Sequence, residues 1–83
     1  MTERNFYEVV PDPGEAGGWN VTRNGLHMKW WPDKIDATMH AVEEAVNEAE
    51  AGGLTSLRIK GKDGRIQQER TYPRSSDPRR TKG

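Results

Sequence analysis

Alternation of apolar and polar residues predicts strands in the first third of the chain. Residues 5–10 are rich in aromatic and β-branched side chains and end at Pro11, which is typical of a strand followed by a turn. Residues 19–23 and 26–31 also alternate, and the Asn24-Gly25 pair between them is a strong hairpin signal. The pattern therefore predicts a three-stranded meander, whose last strand has two faces: Leu26, Met28 and Trp30 on one, and His27, Lys29 and Trp31 on the other.

The period of the pattern changes at Asp33, and a helix is predicted over residues 34–51. Asp33 can cap the first turn, and Asp36 occupies the second position of a capping box. Gly52-Gly53 should end the helix, because glycine accepts the left-handed conformation of a C-terminal cap. We expect the sheet to be contacted by one apolar stripe at helical spacing: Ile35, Met39, Val42, Val46 and Ala49.

The last third of the chain predicts a second hairpin. Residues 54–62 and 65–72 flank Asp63-Gly64, which favours a two-residue turn. In that register Arg58 lies opposite Glu69, and one face is shared by Leu57, Ile59, Ile66 and Tyr72. The element order β-β-β-α-β-β predicts an α+β domain, with an antiparallel sheet and the helix packed on one face. Residues 1–72 form this single domain. Residues 73–83 form a basic tail that we expect to be disordered, because it has no large apolar side chain to bury.

Composition narrows the classes of function. A chain of 83 residues has room for one domain, and the absence of cysteine excludes a disulfide scaffold, a thiolate metal site and a cysteine nucleophile. Because no apolar run is long enough for a signal peptide or a membrane span, we expect a cytoplasmic protein without membrane contact. The net charge is zero, yet residues 33–53, which include the predicted helix, carry six acids against one base and precede a basic C-terminal third.

Three segments together resemble the bacterial family called domain of unknown function 2188: Tyr7–Pro11, Gly18–Val21 and Asp63–Tyr72. The resemblance extends over nearly the whole chain and departs from the family at residues 29–34, where members more often have small and polar residues. No activity is assigned to that family, so the resemblance implies a unit of this size and fold and transfers no functional residue. The order of strands, acidic helix and strand is also similar to the N-terminal part of HicB-type antitoxins.

Groups that could perform catalysis are sparse in this sequence. His40 has the best surroundings, because Asp36 lies four residues before it and Glu43 and Glu44 lie three and four residues after it, a helical spacing found in some metal or acid–base sites. That helix face is acidic throughout, however, and a solvated surface accounts for it. His27 has no partner nearby in the sequence. We therefore predict a protein that is not an enzyme and has no metal or cofactor.

The sheet face opposite the helix is the predicted binding surface, because one helix covers only one face of a sheet. Alternation places aromatic and basic side chains there: Phe6, Lys29, Trp31, Arg58, Lys60, Lys62 and Arg65. Single-stranded nucleic acid fits such a face, since rings stack on bases and cations neutralise phosphates. A homodimer or another protein partner, including an antitoxin-like adaptor role, fits it equally, and an ordinary solvated face is a third interpretation. The sequence thus predicts a binding module and leaves its partner open.

Overall fold

The computed structural model describes residues 3–73, in which five strands and one helix follow one another in the predicted order. Their bounds are β1 Arg4–Pro11, β2 Trp19–Arg23, β3 Leu26–Trp31, α1 Lys34–Glu50, β4 Leu54–Lys60 and β5 Ile66–Tyr72. The sheet order is β3-β2-β1-β4-β5, and α1 packs across one face. We call this face the helix side and the opposite face the open side. The predicted α+β class is confirmed, whereas the predicted disordered tail lies outside the described residues from position 74 onward.

The sheet is mixed, and the prediction of a purely antiparallel sheet is wrong at one pair. β1 and β4 run parallel, with Arg4 opposite Leu54 and Val9 opposite Ile59, while the other neighbours are antiparallel. The cause is the helix between β3 and β4. It returns the chain to the end of the sheet where β3 began, so β4 runs in the same direction as β3 and β1.

The core lies between the sheet and α1. The sheet contributes six buried residues to it: Tyr7, Val9, Trp19, Val21, Leu57 and Ile59. The helix meets them through a row of alanines at every fourth position, Ala37, Ala41 and Ala45, each with no exposed surface. The predicted stripe is therefore wrong in part, since Ile35 and Met39 are 74% and 65% exposed. Alanine has no side chain beyond Cβ, so this row lets the helix backbone lie close to the sheet and turns the larger side chains to one flank.

The helix ends where the sequence predicts, but its start is less well defined. Asp33 is the N-cap residue and has an extended backbone, yet its side chain makes no capping hydrogen bond, so the predicted capping box is absent. At the other end the Gly53 N–H donates to the Glu48 carbonyl (3.0 Å), and the Gly52 N–H donates to the Ala49 carbonyl (3.0 Å). These two bonds form a Schellman motif, and the φ of Gly52, +103°, is the left-handed value that it requires.

A bulge at Met28 reverses the two faces of the second half of β3. Thr22 pairs with His27 and Val21 pairs with Lys29, which leaves Met28 outside the pairing. Because side chains alternate along a strand, one extra residue moves every later side chain to the other face. Lys29 therefore lies on the helix side. The sequence-based faces of β3 are wrong from Met28 onward.

The C-terminal hairpin also differs from its prediction by one residue. The Gly61 N–H donates to the Arg65 carbonyl (2.8 Å), which leaves a three-residue loop with Gly64 at φ +82° in place of the two-residue turn. Ile66 consequently pairs with Lys60 and lies on the open side. A register shift at Gln67 then restores the predicted pairing farther along the strands.

Candidate functional site

Three of the predicted binding residues, Phe6, Arg58 and Lys60, lie together on the open side of the sheet. The Arg58 guanidinium carbon is 5.3 Å from the centre of the Phe6 ring, a cation–π geometry. Arg58 Nε also donates to Glu69 Oε2 (2.8 Å), so the predicted pairing of these two residues is confirmed. Lys60 Nζ lies 3.4 Å from Glu8 Oε2. Both cations of this cluster are thus neutralised by a neighbouring carboxylate.

Lys29 and Trp31 do not share this surface, and their predicted placement on the open side is wrong because of the Met28 bulge. Trp31 lies opposite the buried Trp19 on the helix side. Its Nε1 donates to Nδ1 of His40 on α1 (3.2 Å), and the ammonium of Lys29 lies 4.3 Å from the centre of a Trp31 ring. A role of these two residues in binding stays a prediction, but they cannot act on the same face as Phe6.

Lys62 and Arg65, the remaining predicted residues, lie at the tip of the β4–β5 hairpin. The Arg65 side chain is 88% exposed and its Nε is 3.8 Å from Asp63 Oδ2, beyond hydrogen-bond distance. Lys62 borders a shallow depression beside Trp19 and Pro32. The residues predicted to form one surface therefore occupy the open side, the helix side and a loop.

An aromatic side chain that the sequence assigned to the core lies on the open side. Trp30 is 40% exposed, and its Nε1 donates to the Gly17 carbonyl (3.0 Å). Its ring lies directly against Gly18, where a Cβ would be 2.5 Å from the ring. Gly18 is the sequence signal that accompanies this contact, because only glycine leaves room for the ring at that position.

A groove between α1 and β5 is an apolar surface feature that the sequence did not predict. It has a volume of about 510 Å³ and is lined by Thr38, Met39, Val42, Glu43, Val46, Asn47 and Arg70. Ile35 continues the apolar flank toward the start of the helix, above Gln68 of β5. We call this feature the α1–β5 groove. Its apolar residues belong to the predicted helix stripe, of which Met39 is exposed while Val42 and Val46 are partly buried against the core.

Two opposite charges border the α1–β5 groove without pairing. Arg70, on β5, donates from Nη2 to the Gln68 side-chain oxygen (3.2 Å). The ion pairs found within residues 3–73 include neither Arg70 nor Glu43 of α1. The groove therefore combines exposed apolar side chains with one uncompensated cation and one uncompensated anion.

A model of the family described as "Uncharacterized protein conserved in bacteria (DUF2188)" matches residues 7–72 of this chain. The chain belongs to this family. The matched segment of the DUF2188 domain contains the α1–β5 groove, whereas Phe6 lies just before it. A search of curated proteins and a search of solved structures each returned no match.

A polar cluster in the DUF2188 domain joins the end of α1 to the sheet. Glu48 accepts hydrogen bonds from the Tyr7 hydroxyl (2.6 Å), from Arg23 Nε (3.1 Å) and from the Asn5 side-chain amide. The bond from Arg23 holds the pKa of the Glu48 carboxyl below its ordinary value, and burial together with the Glu48 bond raises the pKa of the Tyr7 hydroxyl. Each member of the cluster is engaged by another, so we interpret it as a structural tie.

The helix histidine of the DUF2188 domain is also engaged by its neighbours. His40 Nδ1 accepts the bond from Trp31, and Nε2 lies 3.5 Å from Glu44 Oε1. Among residues 3–73, the structure groups no three histidine or carboxylate side chains in a way that could hold a metal ion. The same residues include no helix that is long and apolar enough to cross a membrane.

Proposed function

We propose that this DUF2188 domain is a non-enzymatic protein-interaction module whose contact surface is the α1–β5 groove. The observation that supports the proposal is the exposure of Ile35 and Met39, 74% and 65%, beside a groove of about 510 Å³. Large apolar side chains gathered along a groove are typical of protein-contact surfaces. Burial of such a side chain contributes about 1.5–3 kcal/mol, so these two residues would supply anchors for a partner.

The two anchors alone do not account for stable association. The loss of translational and rotational freedom on association costs about 4–15 kcal/mol. Burial of Ile35 and Met39 together would contribute about 3–6 kcal/mol, which offsets only the lower end of that cost. A partner must therefore also contact the partly buried Val42 and Val46 or pair with Arg70 at the border of the groove. These requirements favour a folded protein surface over a small apolar molecule.

Nucleic-acid binding at the open side has less support. Phe6 and Trp30 are 39% and 40% exposed and offer rings for stacking. Arg58 and Lys60, however, are paired with carboxylates, so a phosphate would have to displace an anion from each cation. The protein-contact function requires no such exchange at the groove, and we favour it for this reason.

Photo-crosslinking within the producing bacterium tests the proposed contact. A photoreactive phenylalanine analogue in place of Ile35 should form protein adducts, and Met39→Glu in the same chain should abolish them, because a carboxylate would enter the apolar contact. The analogue in place of Lys62, at the tip of the hairpin, serves as the control position. Absence of adducts at position 35 would contradict the proposal. Salt-sensitive binding of oligonucleotides that Lys60→Ala weakens would support the open side instead.

A further inference from the structure

We infer that the α1–β5 groove is filled by a second copy of this chain, related by a two-fold axis, with the two α1 helices side by side between the two sheets. The inference rests on the proposed protein-contact function and names the partner. In this arrangement each helix occupies the part of the opposing sheet that its own helix leaves uncovered. The interface is isologous, so the same patch of both copies forms it.

The sheet has room for a second helix on its helix side. Strands in a sheet are about 4.8 Å apart, so five strands span about 19 Å between the outer two, whereas a helix with its side chains is about 10 Å wide. α1 packs most closely against β4, less closely against β1, β2 and β3, and least against β5. Beneath the part of the helix side that α1 covers least, β5 presents the polar residues Gln68 and Arg70, and Gln68 is exposed. The helix therefore leaves the part of this face above β5 least covered.

The α1 helix of a second copy matches the part of the sheet above β5. On α1, the flank that lines the groove combines Met39 and Val46 with the acidic Glu43, and Ile35 extends its apolar surface. Packed helices lie about 8–10 Å apart, which places a second α1 beside the first and over β5. The basic tail from residue 74 onward is a poor occupant, because its sequence has no large apolar side chain to place against Met39.

The charges of the groove favour a copy of the same chain over an unrelated partner. In an isologous interface, a residue that contacts a second residue of the partner copy is matched by the reverse contact across the axis. Both members of each charge pair must therefore lie on the same patch of one chain. Arg70 and Glu43 border the same groove, and neither has an ion-pair partner among the described residues. The two-fold arrangement brings Glu43 of each copy over Arg70 of the other. Both charges are thereby compensated.

Sedimentation velocity of the full chain over a range of concentrations tests the inference. The unmodified protein should be a dimer, and Glu43→Arg or Arg70→Glu alone should raise the dissociation constant by about tenfold or more, since each places like charges in contact. The double variant should restore the dimer, because the pair is then reversed. Arg65→Glu makes the same charge change at an exposed loop position and should have no effect. Circular dichroism of each variant verifies that the fold is retained.

Each other outcome overturns the inference in a distinguishable way. A protein that stays monomeric up to near-millimolar concentration rejects the second copy, while photo-adducts from position 35 to a different protein would still support the proposed contact function. A dimer that tolerates both single charge reversals, or that Arg65→Glu weakens equally, rejects this interface. Failure of the double variant to recover the dimer rejects the pairing of Glu43 with Arg70.

Discussion

Replacing Glu48 with alanine removes the carboxylate that ties the last turn of α1 to β1 and β2. Three side chains lose their shared acceptor: the Tyr7 hydroxyl, the Arg23 guanidinium and the Asn5 amide. The Tyr7 residue is only 2% exposed, so water cannot fully replace the lost bond. We therefore expect Glu48→Ala to destabilise the domain more than the loss of an ordinary surface carboxylate.

The magnitude follows from the burial of each donor. A hydrogen bond from a buried hydroxyl to a carboxylate contributes about 1.5–3 kcal/mol, as is usual for bonds to charged groups. The Arg23 side chain is 41% exposed, so its ion pair is screened by solvent and adds only about 0.2–1 kcal/mol. The sum is about 2–4 kcal/mol, which for a domain of this size lowers the Tm by about 8–32 °C.

Thermal unfolding followed by circular dichroism measures this loss, and Glu44→Ala is the matched control. Glu44 lies one turn earlier on the same helix, its side chain is 43% exposed, and its ion-pair contact is His40 at 3.5 Å. Its removal should change the free energy of unfolding by less than about 0.5 kcal/mol. If the two variants unfold within a few degrees of each other, the hydrogen bonds to Glu48 do not stabilise the domain as we have argued.

The contribution of Glu48 also depends on pH, in a direction set by its lowered pKa. The hydrogen bond from Arg23 is the main cause of that lowering, and the ordinary value is 4.5. A carboxyl whose pKa is lower in the folded state stabilises fully above the unfolded pKa, and this stabilisation is lost as the pH falls through the folded pKa. The difference in Tm between the unmodified protein and Glu48→Ala should therefore be constant near neutral pH and shrink in acid.

Two further substitutions test the packing on each side of the sheet. Ala41→Asp places a carboxylate at a position with no exposed surface and should abolish cooperative thermal unfolding. Met39→Asp, on the exposed flank, should retain a cooperative transition. A cooperative transition for Ala41→Asp would contradict the packing of the alanine row against the sheet. Gly18→Ala brings a Cβ to 2.5 Å from the Trp30 ring, while Gly25→Ala has a similar φ with no atom nearby. Gly18→Ala should thus lower the Tm more and shift the tryptophan fluorescence, and equal effects of the two would reject the close contact.

Most of the elements could be predicted from the sequence, but the faces of two strands could not. Strand and helix bounds follow from local periods and from glycine and proline positions, which a sequence displays directly. Met28 and Gln67 each add one residue to a strand without any local signal. One added residue moves its neighbours to the opposite face of the sheet. The faces predicted for Trp31 and Ile66 were therefore wrong, although the strands that contain them were predicted correctly.

The candidate site was missed because hydrophobicity alone does not identify the packed side of a helix. The stripe that contains Met39 is more apolar than the alanine row, yet close approach to the sheet favours the smaller side chains. The pairing of Lys60 with Glu8 was equally inaccessible, since it depends on the parallel contact of β1 with β4. Arg58 opposite Glu69 was predictable because a hairpin joins their strands directly.

The parallel pairing of β1 with β4 has a consequence for how the domain is made. It joins residues far apart in the sequence: the bond from Arg4 Nη1 to the Thr55 carbonyl spans 51 positions. Closing so long a loop costs conformational entropy, which is offset only after many other contacts have formed. Folding is therefore slowed. On the ribosome, β1 emerges first and has only β2 as a neighbour until residues 54–60 have been synthesised. The central strand of the finished sheet is therefore an open edge during translation, and the sheet cannot be completed before β4 and β5 have been synthesised.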